Sequence, residues 1–380
     1  MTEPPAATAQ DPEDRSHHDE EMPRVVITRE RALIFGLFVA SAVAFLYFVL
    51  PKLAGLGDTW HRLGQGDSTW LLVAFAFECL SFAGYVLVFR TVFVRAGSRI
   101  DFRASYQITM AGLAATRLFA AAGAGGIALT AWALRRSGMG PRDVAGRMLA
   151  FLVLLYTVYA GALVLVGLGL YLGVLSGAAP FAITVVPAVF GALAFLGAAG
   201  MACLPGDAER WIAVRGQGEG RGHRLLARAA SVPASVATGI RTAIGLVREG
   251  RWGVLGAFAW WAFDIAVLWA CFHAYGVDPP PVGVIVMAYF VGMLANTLPL
   301  PGGIGGVDGG MIGAFAAFDV PFGYATVAVL TYRAFAFWLP TLPGAIAYFQ
   351  LRRTVAGWRE ERGAVGEAQA STGGLLYKVK

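Results

Sequence analysis

Five charged residues stand inside long apolar runs: Glu78, Arg117, Asp264, Asp308 and Arg333. A charge at the centre of a bilayer costs at least about 2.5–3.5 kcal/mol on insertion scales, so each needs a partner or a wetted cavity. Arg333 lies about ten residues, roughly 15 Å, into the last apolar run, where it could bind a phosphate or pair with Asp264 or Asp308. Two glycine-rich interruptions accompany the charges, Ala122-Gly-Ala-Gly-Gly126 and Leu300-Pro-Gly-Gly-Ile-Gly-Gly306. A helix that starts in mid-membrane after Gly125-Gly126 or Gly305-Gly306 leaves its first amides unpaired and its positive dipole end exposed. Glycine lets a ligand approach that backbone closely, and an anionic group such as a lipid phosphate fits it. The bland alternative is close helix packing through the small-residue spacing Gly302, Gly306, Gly310, with Asp308 merely satisfying a helix dipole. Asn296, Pro299 and Pro301 shape the second break, since proline removes donors that no water replaces in lipid. Gly303 completes it. Asp264 and Asp308 form the one candidate carboxylate pair, and the scattered histidines and three cysteines supply no ligand cluster. The expectation is therefore no catalytic residue, no metal and no cofactor.

These residues need elements that hold them in lipid. Hydrophobic residues make up 57% of the 380 and charged residues only 14%, outside the usual soluble balance. Crossing roughly 30 Å of hydrocarbon takes about 20 apolar helical residues. The run 32–50 reads as an anchored helix, being too long for a signal-peptide core. Further helices are expected at about 70–94, 144–175, 180–204, 252–275 and 324–350. The interrupted stretches 104–134 and 282–318 differ. Shifted by 180 positions without a gap, Gly112, Ala115, Leu118, Gly123, Gly125, Gly126, Pro141 and Ala145 fall on Gly292, Ala295, Leu298, Gly303, Gly305, Gly306, Pro321 and Ala325. The two stretches read as an internal repeat.

Arginine distribution orients the repeat. Arg90, Arg95, Arg99 and Arg103, then Arg135, Arg136, Arg142 and Arg147, the eight arginines of 205–251 and the C-terminal tail fall on one side if each interrupted stretch enters and leaves on the same face. The loops 176–180, 276–281 and 319–323 carry neither Lys nor Arg. Positive residues mark the cytoplasmic side. Segment 307–318, about 18 Å long at 1.5 Å per residue, is too short to cross. The reading is an all-α polytopic membrane protein with about six crossing helices and two re-entrant hairpins in two inverted repeats, an architecture of transporters. A rigid bundle kinked by glycine is the alternative.

The segment Asn296-Thr-Leu-Pro-Leu-Pro-Gly-Gly-Ile-Gly-Gly-Val-Asp308, with Arg333 in the following helix, resembles the signature of the lysylphosphatidylglycerol synthase transmembrane domain family, also called flippase-like proteins. The resemblance spans about 30–350. It implies movement of a lipid with a polar headgroup between leaflets, with a phospholipid or lipid-linked glycan as the partner molecule and a lipid-modifying enzyme as a further partner. Bifunctional members carry a soluble aminoacyl-transferase domain after this region. The present chain ends about thirty residues past its last helix, so synthase activity is not expected. Members often have Asn and Pro where this chain has Thr116 and Phe119. The competing function is a membrane-embedded transferase or accessory subunit of lipid or glycan-lipid modification.

The chain thus divides into a cytoplasmic tail (1–30, rich in Pro, Asp and Glu, expected to be disordered), a transmembrane domain (31–352) and a second cytoplasmic tail (353–380). Repeat 1 covers about 70–175 and repeat 2 about 252–350, joined through the basic loop 205–251. The expected location is the plasma (inner) membrane, with both termini cytoplasmic. The net charge of +6 gathers at helix ends, as topology requires, so nucleic acid is not an expected partner. Within the basic loop, Val232, Val236, Ile240, Ile244 and Val247 recur at helical spacing after Pro233, a first-turn residue by its position. That predicts an amphipathic helix, either on the membrane surface or against the bundle. Trp252, Trp260, Trp261 and Trp269 are expected to face lipid or the interface.

Overall fold

A computed structural model describes residues 64–118, 124–203, 221–276, 278–297, 303 and 305–377. The expected helix at 32–50, and Pro299, Pro301 and Gly302, lie outside them. The described residues form helices and no strand: α1 Ser68–Phe93, α2 Phe102–Leu118, α3 Ala124–Arg136, α4 Pro141–Tyr171, α5 Phe181–Ala202, α6 Arg221–Arg248, α7 Leu255–Ala274, α8 Val282–Met293, α9 Gly306–Ala317, α10 Phe322–Arg333 and α11 Thr341–Tyr377. Local chemistry starts several of them. The Asp67 carboxylate caps α1 by accepting from the Thr69 amide at 2.7 Å. Pro141 occupies the first turn of α4, and Pro180, Pro281 and Pro321 immediately precede α5, α8 and α10.

Among the described residues, five stretches are long and apolar enough to cross a membrane: Ser68–Phe93, Pro141–Tyr171, Phe181–Ala202, Trp252–Ala274 and Phe322–Glu361. The helices α2, α3, α8 and α9, of 17, 13, 12 and 12 residues, are shorter. The outer surfaces of the long helices expose Leu165, Leu172, Phe190, Leu196, Phe258 and Phe349, as solvation by lipid permits. Glycine sets the helix spacing. A Cβ on Gly84 would lie 2.9 Å from both the Gly256 carbonyl oxygen and the Trp260 nitrogen, so α1 and α7 touch backbone to backbone. They run antiparallel, for the Asp67 amide donates to the Ala274 carbonyl at 2.7 Å while the Arg251 guanidinium donates to Thr91 O at 3.1 Å.

The short helices pair in the same way. In α2 and α3, a Cβ on Gly112 would meet Thr130 Oγ1 at 2.9 Å; in α8 and α9, a Cβ on Gly310 would meet Gly292 Cα at 3.1 Å. Between α10 and α11 the helix widens into a π turn, Ala334–Trp338. Above it α10 packs on α7 and α9; below it α11 packs on α2, with Gly344 against Met110 and Ala114 and Thr354 donating to Gln107 Oε1 at 2.8 Å.

Two expectations need correction. Helix α6 begins at Arg221, so Pro233 falls inside the helix rather than in its first turn. Its buried stripe is Ala237, Ile240, Ala243 and Leu246, while Ile244 and Val247 are exposed. The face is rotated because the helix rests small residues on α4, Gly239 against Leu149, where bulkier ones would not fit. Trp260 and Trp261 are the other correction. Trp261 is buried and donates its indole N–H to Leu155 O at 2.9 Å. Both rings turn inward onto a cavity, since a buried indole N–H requires an acceptor that lipid does not offer.

Candidate functional site

A cavity of about 380 Å³ opens where α1, α2, α3, α4, α7 and the π turn converge. Glu78 (α1), Arg117 (α2), Asp264 (α7) and Arg333 (α10) all line it, as do Gly126, Asn296 and Gly303 from the two glycine-rich breaks. Gly125, Gly305, Gly306 and Asp308 sit outside its lining. The four intramembrane charges other than Arg117 are almost wholly shielded: Glu78 is 3% exposed, Asp264 7%, Asp308 2% and Arg333 8%.

Each charge has a specific setting. Asp308 stands in the first turn of α9 and uses both oxygens. Its Oδ2 accepts from the Gly305 amide at 2.8 Å, and its Oδ1 pairs with Arg333 Nε at 2.6 Å. The dipole end of α9 is thus met by a carboxylate of the same helix, which in turn fixes the guanidinium. Gly305, at φ 81°, makes the turn that brings its amide to Asp308. Arg117 donates to the carbonyls of Ala336 at 2.7 Å and Phe337 at 3.3 Å, on the π turn. A π turn displaces backbone carbonyls from their α-helical partners, and a forked guanidinium can take two at once. Carbonyls are neutral, so the charge of Arg117 is balanced at longer range by Glu78 and Asp264. The Phe337 ring lies between the two arginines, 5.6 Å from the Arg117 guanidinium carbon and 4.6 Å from that of Arg333.

The acids oppose them. Asp264 Oδ2 accepts from Tyr332 Oη at 2.9 Å and from Tyr289 Oη. Glu78 faces the same cavity as Asp264 across the α1–α7 contact, beside the Phe77–Phe263 ring pair at 6.0 Å and the Ser81 Oγ bond to Trp260 O at 2.9 Å, and its buried Oε2 meets no protein donor. Among the described residues no three His, Cys, Asp or Glu side chains gather to hold a metal, and Cys79, Cys203 and Cys271 are free thiols.

Sequence reasoning missed Tyr289, Tyr332 and Phe337. The tyrosines left a readable signal, since a phenol in a wholly apolar helix must find an acceptor. Phe337 left none, because its position depends on the π turn. Taken together, the geometry offers two guanidiniums beside a half-polar chamber within a bundle of membrane-length helices. Such an arrangement can receive an anionic group from the hydrocarbon region without exposing it to lipid.

Comparison with known proteins agrees with the membrane architecture. Two relatives from Methanothermobacter thermautotrophicus (strain Delta H), both named UPF0104 membrane protein, are 38% identical over 105 residues and 33% identical over 86. These segments cover 27% and 23% of this chain, and 30% and 26% of the relatives' own lengths. The chain therefore matches less than a third of either relative. Residues 33–344 match the lysylphosphatidylglycerol synthase TM region as a whole, so the chain belongs to that family of multi-pass membrane domains, which is associated with lipid modification or transport.

Proposed function

We propose that this protein moves a lipid with an anionic polar headgroup between membrane leaflets. The observation that carries the reading is the cavity itself: about 380 Å³, walled by membrane-length helices, with Arg117 and Arg333 on its lining. A phosphate that leaves one interface needs a positive, hydrated station before it reaches the other, and a guanidinium pair supplies it.

Two features support a transporter architecture. The pairs α2–α3 and α8–α9, about 18–26 Å long per helix, are too short to span and read as re-entrant hairpins. Their contacts obey the 180-residue shift found in the sequence, with Gly112 on Thr130 in one pair and Gly292 on Gly310 in the other. The hairpins would enter from opposite faces, as inverted repeats do. The orientation follows from charge. Arg95 pairs with Asp143 at 3.3 Å, Arg99 donates to Trp358 O, and Arg147 and Arg251 donate to Val92 O and Thr91 O. One end of the bundle is thereby an arginine-rich face, which we assign to the cytoplasm of a plasma membrane.

The test uses the full chain in proteoliposomes, with fluorescent phosphatidylglycerol as cargo and dithionite quenching to report leaflet. Wild type should move the anionic lipid faster than empty vesicles do. Arg117→Ala, which removes the one cavity arginine without a direct carboxylate contact, should lower that rate about tenfold or more, the scale of a lost charge-assisted hydrogen bond. Equal rates for protein-containing and empty vesicles, across phosphatidylglycerol and lipid-linked glycans alike, would rule the transport reading out.

A further inference from the structure

Glu78 and Asp264 pose a chemical problem that headgroup transport alone does not solve. They sit on α1 and α7, the antiparallel pair joined at Gly84 and Gly256, next to the Phe77–Phe263 and Ser81–Trp260 contacts of that pair, and both line the cavity. An ionised carboxylate only accepts hydrogen bonds. Two carboxyl groups can therefore bond to each other only when one of them carries a proton. Tyr289 from α8 and Tyr332 from α10 already donate to Asp264, and neither reaches Glu78 Oε2, which is buried without a donor. Leaving that oxygen ionised carries the desolvation cost of a buried, unsatisfied charge.

Counting charge gives the same answer. Glu78, Asp264 and Asp308 bring three negative charges, against two positive charges on Arg117 and Arg333. One proton makes the cluster neutral. The remaining titratable groups beside the pair are phenols and thiols, neutral in their ordinary forms: Tyr289, Tyr332, Cys79 on α1 and Cys271 on α7. Glu78 and Asp264 both line the cavity, so a proton can reach them by the route a hydrated headgroup would take.

We propose that the Glu78–Asp264 pair is a proton-binding site, and that its occupancy is linked to that of the anion station at Arg117 and Arg333. This rests on the transport reading for the identity of the anion. Deprotonation leaves the cluster with net negative charge, which repels a phosphate. The bound phosphate in turn holds the proton in place, because linkage acts equally in both directions. A lipid and a proton then travel together, and a pH gradient becomes the energy source.

The experiment measures binding of dihexanoyl phosphatidylglycerol to the purified full chain from about pH 6 to about pH 9.5. The phosphodiester keeps its single charge throughout this range, so any pH dependence belongs to the protein. Wild-type affinity should fall as pH rises, approaching tenfold per unit beyond the pair's titration. Protein in weak buffer should also take up protons when the lipid is added at the upper end. Glu78→Gln and Asp264→Asn each replace an acid by a neutral amide, and both should flatten the profile; two variants guard against one failing to fold. A flat wild-type profile, or a steep profile kept in both folded variants, overturns the proton site. Proton-linked binding without lipid movement in proteoliposomes would sustain the proton site and sink the transport reading instead.

Discussion

At the scale of single residues, the meaning of Arg333 changed once its partner was known. From sequence it was free to bind phosphate or to pair with Asp264 or Asp308. The 2.6 Å contact selects Asp308 over Asp264 as its acid, and with it an order of events under mutation. Removing one partner of a buried ion pair costs about 3–5 kcal/mol, because the other charge is left uncompensated. Arg333→Ala should therefore lower the thermal stability of the detergent-extracted protein clearly. Asp308→Asn keeps an oxygen for the Gly305 amide while removing the charge, so the double variant should recover much of the loss. A stability deficit unchanged in the double variant would show that Arg333 contributes through contacts other than the ion pair, its ring contact with Phe337 among them.

At the scale of elements, much was legible in the sequence because the signals were local. Length and apolarity marked α1, α4, α5 and α7, whereas the prolines at the starts of α4, α5, α8 and α10 were not read as helix starts. The breaks before α3 and α9 followed from glycine. The widening at Ala334–Trp338 carried a signal that went unread: Pro340 has no N–H for the Ala336 carbonyl, and that carbonyl, with the one of Phe337, is taken instead by Arg117, more than two hundred positions away. The buried face of α6 was misread for another reason. Periodicity finds the bulky stripe, whereas the neighbour α4 admits only the small one. The same logic applies to α1 and α7, where backbones touch. Gly256→Val would press a side chain into the Gly84 carbonyl and Val88. Overpacking of this kind costs about 1–3 kcal/mol or more, and the expected outcome is a lower melting temperature with less protein surviving extraction. Gly245→Ala, at a site with no atom within 4 Å of the new Cβ, should be tolerated and serves as the control.

For the whole molecule, the topology proposed above is one that chemistry can check. In a background without the three native cysteines, Ser176→Cys and Asp278→Cys should react with an impermeant thiol reagent added to intact cells. Ala96→Cys and Ser137→Cys, at the arginine-rich end, should react only after the membrane is opened. Labelling of Ser137→Cys in intact cells would mean that α2 and α3 do not return to the face they left. The charged residues at the centre were individually visible in the sequence, yet their grouping was not, because Glu78, Arg117, Asp264 and Arg333 come from four different helices. One helix ties the centre together. Above the π turn it packs on α7 and α9; below it, on α2. A π turn holds one residue more than the α turn it replaces, and a single residue is about 100° of rotation along a helix. The two ends of this helix are therefore set in phase with different partners by one extra codon. Gain or loss of one codon between Arg333 and Leu339 would turn Gly344 away from Ala114 while α10 stayed in place. At its centre this protein has to count.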